Sequence, residues 1–185
     1  MRRALFRTMF QGIALSSVLL TLAIAGQAQS APAAGQPEKQ GATTSPETAA
    51  LERDFFASIR DGDVKKFLSY VPDENILVGA QAKPTSRSEI EQQLLHHRDL
   101  YCTLFDSSCI EAPIKLDASQ RACSDRELLT HSEKVRTAAT ETTRNGVRQA
   151  ILVAEVKNDA CGGSKLIDFI FNFTHGEWKL FSIPQ

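Results

Sequence analysis

The chain has 185 residues, 42% hydrophobic and 23% charged, with a formal net charge of −1. Such a length fits one domain around one core. The balance leaves no basic stripe for a phosphate backbone, which excludes nucleic acid as the expected partner.

Residues 1–28 read as a signal peptide. Arg2, Arg3 and Arg7 make a basic start, Ile13 to Ala25 is apolar, and small residues close the segment at Ala28. The apolar run is too short for a stable membrane span, so none is expected after cleavage. Export to a periplasm or to the outside is expected, by the general secretory route or, through Arg2-Arg3, a twin-arginine route. Without residues 1–28 the chain keeps 157 residues and, losing three arginines and no acid, a charge of −4. Residues 29–46, rich in Ala, Pro, Gly and Gln, read as a disordered linker, leaving 47–185 as the folded domain.

Ser45-Pro46-Glu47 is a helix start, a capping hydroxyl followed by proline and an acid. Leu51, Phe55 and Ile59 follow at four-residue spacing, with Phe56 widening the stripe, until Asp61-Gly62-Asp63. Asp63 caps a second helix with Val64, Phe67, Leu68 and Val71 on its apolar face, ended by Pro72. Asn75 to Ala80 reads as a short strand. A third helix starts with two overlapping capping boxes, Ser86 with Glu89 and Ser88 with Glu91. Its inward positions step through Ile90, Leu94, His97 and Tyr101, which predicts a buried His97 and Tyr101. Ser124 to Glu127 caps a short helix through Leu129.

The period then changes to two. Val135 to Thr143, Val147 to Val156, Lys165 to Phe173 and Trp178 to Ile183 read as a four-stranded antiparallel meander, with Asn145-Gly146 and His175-Gly176 in its turns. In the third of these strands Ile167, Phe169, Phe171 and Phe173 form an apolar face, while Asp168 lies on the other. Four cysteines in an exported chain predict two disulfides, with three connectivities open. The expected pairs are Cys102–Cys109, a local staple, and Cys123–Cys161, a long link.

Helices first and a meander after make an α+β order. At Phe55 to Phe67, Ser86 to Leu95 and Gly176 to Ile183 the sequence resembles nuclear-transport-factor-2-like (SnoaL-like) domains. The resemblance implies N-terminal helices packed on a strongly curved antiparallel sheet, a cone with an apolar pocket. It also implies pocket-lining positions for Ile90, Leu94 and Trp178, and a homodimer.

For chemistry, Asp168 in an apolar cavity could act as acid or base, with Tyr101 polarising a carbonyl and His97 shuttling the proton. Against this stand plainer roles: Asp168 paired with Lys179 or Arg148, His97 hydrogen-bonded in the core, and Tyr101 packing. No histidine–cysteine spacing suits a metal and no H-E-x-x-H or G-x-S-x-G occurs, so neither metal nor cofactor is expected. The leading reading is a binding or accessory domain for a small apolar ligand or a protein partner. The alternatives are a cofactor-free isomerase, dehydratase or hydrolase working through Asp168, His97 and Tyr101, and an assembly domain with a closed pocket.

Overall fold

The structure is a computed structural model that describes residues 44–110 and 120–184. The expected signal peptide and most of the expected linker lie outside the described residues.

Four helices start where a side chain can take up a free backbone N–H. In α1 (Pro46–Arg60) the N–H of Thr48 donates to Ser45 Oγ at 3.2 Å. In α2 (Val64–Tyr70) Lys66 N–H donates to Asp63 Oδ1 at 2.8 Å. In α3 (Arg87–Leu95) and α5 (Asp125–His131) the N–H groups of Glu89 and Glu127 reach Ser86 and Ser124. Such caps contribute about 1 kcal/mol each. Ser88 does not form the second capping box; its hydroxyl lies 3.1 Å from that of Ser86, and Glu91 accepts from Arg87 instead.

One sheet takes the order β2-β1-β6-β5-β4-β3. Strands β3 (Lys134–Arg144), β4 (Val147–Asn158), β5 (Gly163–Thr174) and β6 (Glu177–Ile183) form the expected antiparallel meander. Two short strands extend it. β1 (Ile76–Val78) runs parallel to β6, and β2 (Lys83–Thr85) pairs antiparallel with β1. The sheet is therefore six-stranded and mixed, rather than wholly antiparallel. β2 escaped the sequence reading because it is three residues long and carries Pro84, which an edge strand tolerates. A register shift between Ile170 and Phe171 bends β5 against β6, as a bulge does.

The core forms where α1 crosses β5. Ile167, Phe169 and Phe171 are buried as the alternation predicts, in register with Ala154, Leu152 and Ala150 of β4. Phe55 is fully buried, its ring edge-on to Phe169 at 4.7 Å and to Phe171 at 4.9 Å. Helices packed on a bent sheet agree with the nuclear-transport-factor-2-like α+β cone that the sequence resemblance implies. Both disulfides pair as expected, Cys102 with Cys109 and Cys123 with Cys161.

The third helix departs from its expected course. α3 ends at Leu95, and α4 (Leu100–Leu104) is a separate short helix. The N–H of His97 donates to the carbonyl of Leu94 and that of Arg98 to Gln93, the paired bonds of a Schellman stop. His97 takes the left-handed position with φ 53°. Consequently His97 is exposed, not on a buried face, and Tyr101 is half-buried. A Schellman stop commonly places glycine there. A histidine gave no warning.

Candidate ligand groove

Where α1, the end of α2 and the β5–β6 hairpin meet, they leave an open groove of ≈ 580 Å³. Helix α1 supplies Glu47, Leu51 and Asp54, positions three to four residues apart along one side of the helix. Ser69 and Tyr70 come from α2, and Phe173, Glu177, Trp178 and Lys179 from the hairpin. His175-Gly176 closes that hairpin with φ values of 52° and 83°, the positive pair that a two-residue type I′ turn requires.

The walls are aromatic. Phe173 and Trp178 meet edge-on at 5.1 Å, and Tyr70 stands edge-on to Phe55 at 5.3 Å, joining the groove to the core. Arg148 holds the hairpin rings from β4, its guanidinium 4.5 Å from the Phe173 ring centre and 5.3 Å from that of Trp178. Arg148 is in turn fixed by Glu141, at 2.8 Å, and Glu47, at 3.3 Å. Glu141 also accepts from Ser45 Oγ at 2.8 Å and Thr48 Oγ1 at 2.7 Å. Hydrogen bonds from Arg148, Thr48 and Ser45 hold the Glu141 carboxyl down at about 2. The start of α1, β3, β4 and the hairpin are thus tied together beside the groove.

Polar groups line the rim. Lys179 Nζ lies 2.8 Å from Glu177 and donates to the Ser69 carbonyl at 3.1 Å. Burial, and then the charge of Asp54, push the Tyr70 hydroxyl above its usual range, so it stays a protonated donor. The Trp178 indole N–H is buried and has no acceptor among the described residues. Unsatisfied buried donors are uncommon in native proteins.

Of the positions expected to line a pocket, Trp178 does. Ile90 and Leu94 do not; they are 0% and 1% exposed, fully inside the core. Their four-residue step on α3 is what a core face also requires. Glu47, Asp54, Tyr70 and Glu177 were missed. The spacing of Glu47, Leu51 and Asp54 was visible in the sequence, but nothing there indicated that this side of α1 meets the β5–β6 turn.

Of the expected catalytic set, the structure brings His97 and Tyr101 together. His97 stacks on Tyr101 with ring centres 4.0 Å apart, and it lines a second groove with Cys102 and Cys109. Tyr101 leans on Phe105 at 5.6 Å. Asp168 stands on the β5 face opposite Phe169, next to Val153, and lines neither groove. Its charge is felt by Asp125, whose carboxyl burial pushes up to about 7, with Lys165 opposing the rise and Asp168 adding to it. The alternative ion pairs for Asp168 do not form either: its cross-strand neighbour is Val153, Lys179 stands opposite Asn172, and Arg148 lies over Phe173 and pairs with Glu141 and Glu47. Among the described residues no cluster of His, Cys, Asp or Glu is arranged to hold a metal. No described helix is long and apolar enough to cross a membrane.

The sequence matches no protein-family model, and it matches no curated protein. The chain is similar to solved structures at low identity and low TM-score. A nuclear-transport-factor-2-like protein of unknown function from Shewanella oneidensis MR-1 is 10% identical, covering 75% of this chain and 94% of its own, with a TM-score of 0.42. A provisionally named ketosteroid isomerase from Shewanella frigidimarina is also 10% identical, covering 75% and 93%, with a TM-score of 0.42.

Proposed function

We propose that this domain is an exported small-ligand-binding module whose site is the groove between α1, α2 and the β5–β6 hairpin. The observation that carries the reading is the aromatic wall of Tyr70, Phe173 and Trp178 around ≈ 580 Å³, rimmed by a few polar groups. Small-molecule sites have this character and volume, roughly 300–1,000 Å³. A small, mainly apolar ligand fits those walls, with a polar edge toward Lys179 and the Tyr70 hydroxyl. The two disulfides suit an oxidising compartment, as export requires. Ile151 and Ile170, paired on the sheet face opposite Leu152 and Phe169, offer a surface for a homodimer, which sedimentation of the mature chain would test.

Trp178 is the single tryptophan of the chain, so its fluorescence reports on the groove alone. Protein purified from its own compartment is examined by native mass spectrometry, and the released compound is titrated back against Trp178 emission. Saturable quenching is expected, weakened about tenfold or more in Tyr70→Ala, equivalent to about 1.4 kcal/mol. Quenching that Tyr70→Ala leaves unchanged would refute the site.

A further inference from the structure

The two disulfides occupy opposite settings. Cys123 and Cys161 are 9% and 1% exposed, and their bond spans 38 residues inside the core. Cys102–Cys109 spans only 7, and although Cys102 is 6% exposed, Cys109 is open to solvent. Both of its cysteines line an open groove of ≈ 470 Å³ with His97, Arg98, Asp99, Thr103 and Ile110. Access of this kind governs the rate at which a thiolate attacks a disulfide. Arg98 and Asp99 bring opposite charges to the groove.

The backbone at the groove is also held away from its preferred states. Between α3 and α4, His97 has φ 53°, and Asp99 has φ 43° with ψ −98°, outside the left-handed helical well. Asp99 makes no capping bond to compensate. Such residues persist when their surroundings over-determine them. Here the ties include the Gln93 side chain, which accepts from Leu100 N–H at 3.2 Å, and the disulfide that fastens α4 to the Ser107–Cys109 turn.

We propose that Cys102–Cys109 is a thiol-exchange site, opened at Cys109 by a small thiol or a dithiol protein, while Cys123–Cys161 is a permanent cross-link. The incoming thiolate bonds to Cys109 Sγ, and the electron pair of the broken S–S bond leaves on Cys102 Sγ, which becomes the thiolate. Cys102 can then attack the mixed disulfide and restore the original bond. A second thiolate on a dithiol partner instead releases Cys109; the partner is oxidised by two electrons and the pair on this chain is reduced by two. Opening removes one tie from the strained junction, so α4 loses protection while the core stays intact.

The test incubates the folded, oxidised mature chain in graded reduced and oxidised glutathione, then alkylates and maps the peptides. Cys102 and Cys109 are expected to become labelled about tenfold or more faster than Cys123 and Cys161. Glutathione should be found on Cys109, and amide exchange should rise at residues 97–104 but not in β4 or β5. Cys102→Ser, which removes the resolving thiol, should retain the adduct on Cys109. The proposal is overturned by labelling of all four cysteines together, by reduction only when the chain unfolds, or by adducts on Cys102 in the unsubstituted protein. Those wild-type outcomes decide the matter even where Cys102→Ser does not fold.

Discussion

Phe55 and His97 show two ways in which this chain fixes a side chain. Around Phe55, the rings of Phe56, Phe67, Tyr70, Phe169 and Phe171 close from α1, α2 and β5. Its backbone is ordinary helix, so burial alone holds the position. His97 is exposed and stacks on Tyr101, but its backbone is set by a Schellman stop and the short, disulfide-tied segment that follows. The first region is stable because every local preference agrees with the packing. The second is specified by a few bonds that override local preference, so it is the part that can change state without loss of the fold.

The largest effect should come from breaking the first region. Phe55→Ala is expected to cost about 3–5 kcal/mol in urea denaturation, because the surrounding rings belong to three elements and cannot collapse together into the space. Next comes the tie between α1 and the sheet. Glu141→Gln is expected to cost about 1–2 kcal/mol near neutral pH, since the Arg148, Thr48 and Ser45 donors lose their charged acceptor. The pH dependence has a definite sign. Glu141 titrates at about 2 in the fold against an ordinary 4.5. Its stabilisation is therefore present above about 4.5 and drains away as pH falls toward 2. In Glu141→Gln that part of the acid limb should be missing from the melting profile.

A smaller effect of opposite sign is expected at the junction. Asp99→Gly should stabilise by about 1 kcal/mol, because glycine accepts φ 43° without a Cβ clash and the aspartate makes no capping bond. An unchanged or lowered melting temperature would mean that Asp99 is not strained there, and the contrast between the regions would weaken.

The same contrast explains what could be read from residues alone. Leu51, Phe55 and Ile59 on α1, and Ile167, Phe169 and Phe171 on β5, follow the periods of their elements and lie where those periods put them. Helix starts at Ser45, Asp63, Ser86 and Ser124 were legible because a cap is local chemistry. The stop at His97 was not, since a non-glycine residue takes the left-handed position there. That stop turns His97 out of the core, where it still stacks on Tyr101, while Asp168 stands on β5 beside Val153. Strand β1 lies inside the strand read at Asn75 to Ala80, but its pairing with the end of β6 is a long-range event, and the three-residue β2 that pairs with β1 does not announce itself. The groove shares that difficulty. Trp178 was found as a single position, but its neighbours Glu47, Asp54 and Tyr70 come to it only through tertiary packing.

The most direct test of the account maps a small apolar probe onto the two grooves. Anilinonaphthalene sulfonate is titrated into the isotopically labelled mature chain and followed by heteronuclear NMR. The single indole signal of Trp178 and the amides of Leu51, Asp54, Tyr70 and Gly176 are predicted to shift and saturate together. The amides of Thr103 and Ile110, in the disulfide groove, should stay in place. Saturable shifts centred on Thr103 and Ile110, with Trp178 unmoved, would contradict the assignment of the ligand site.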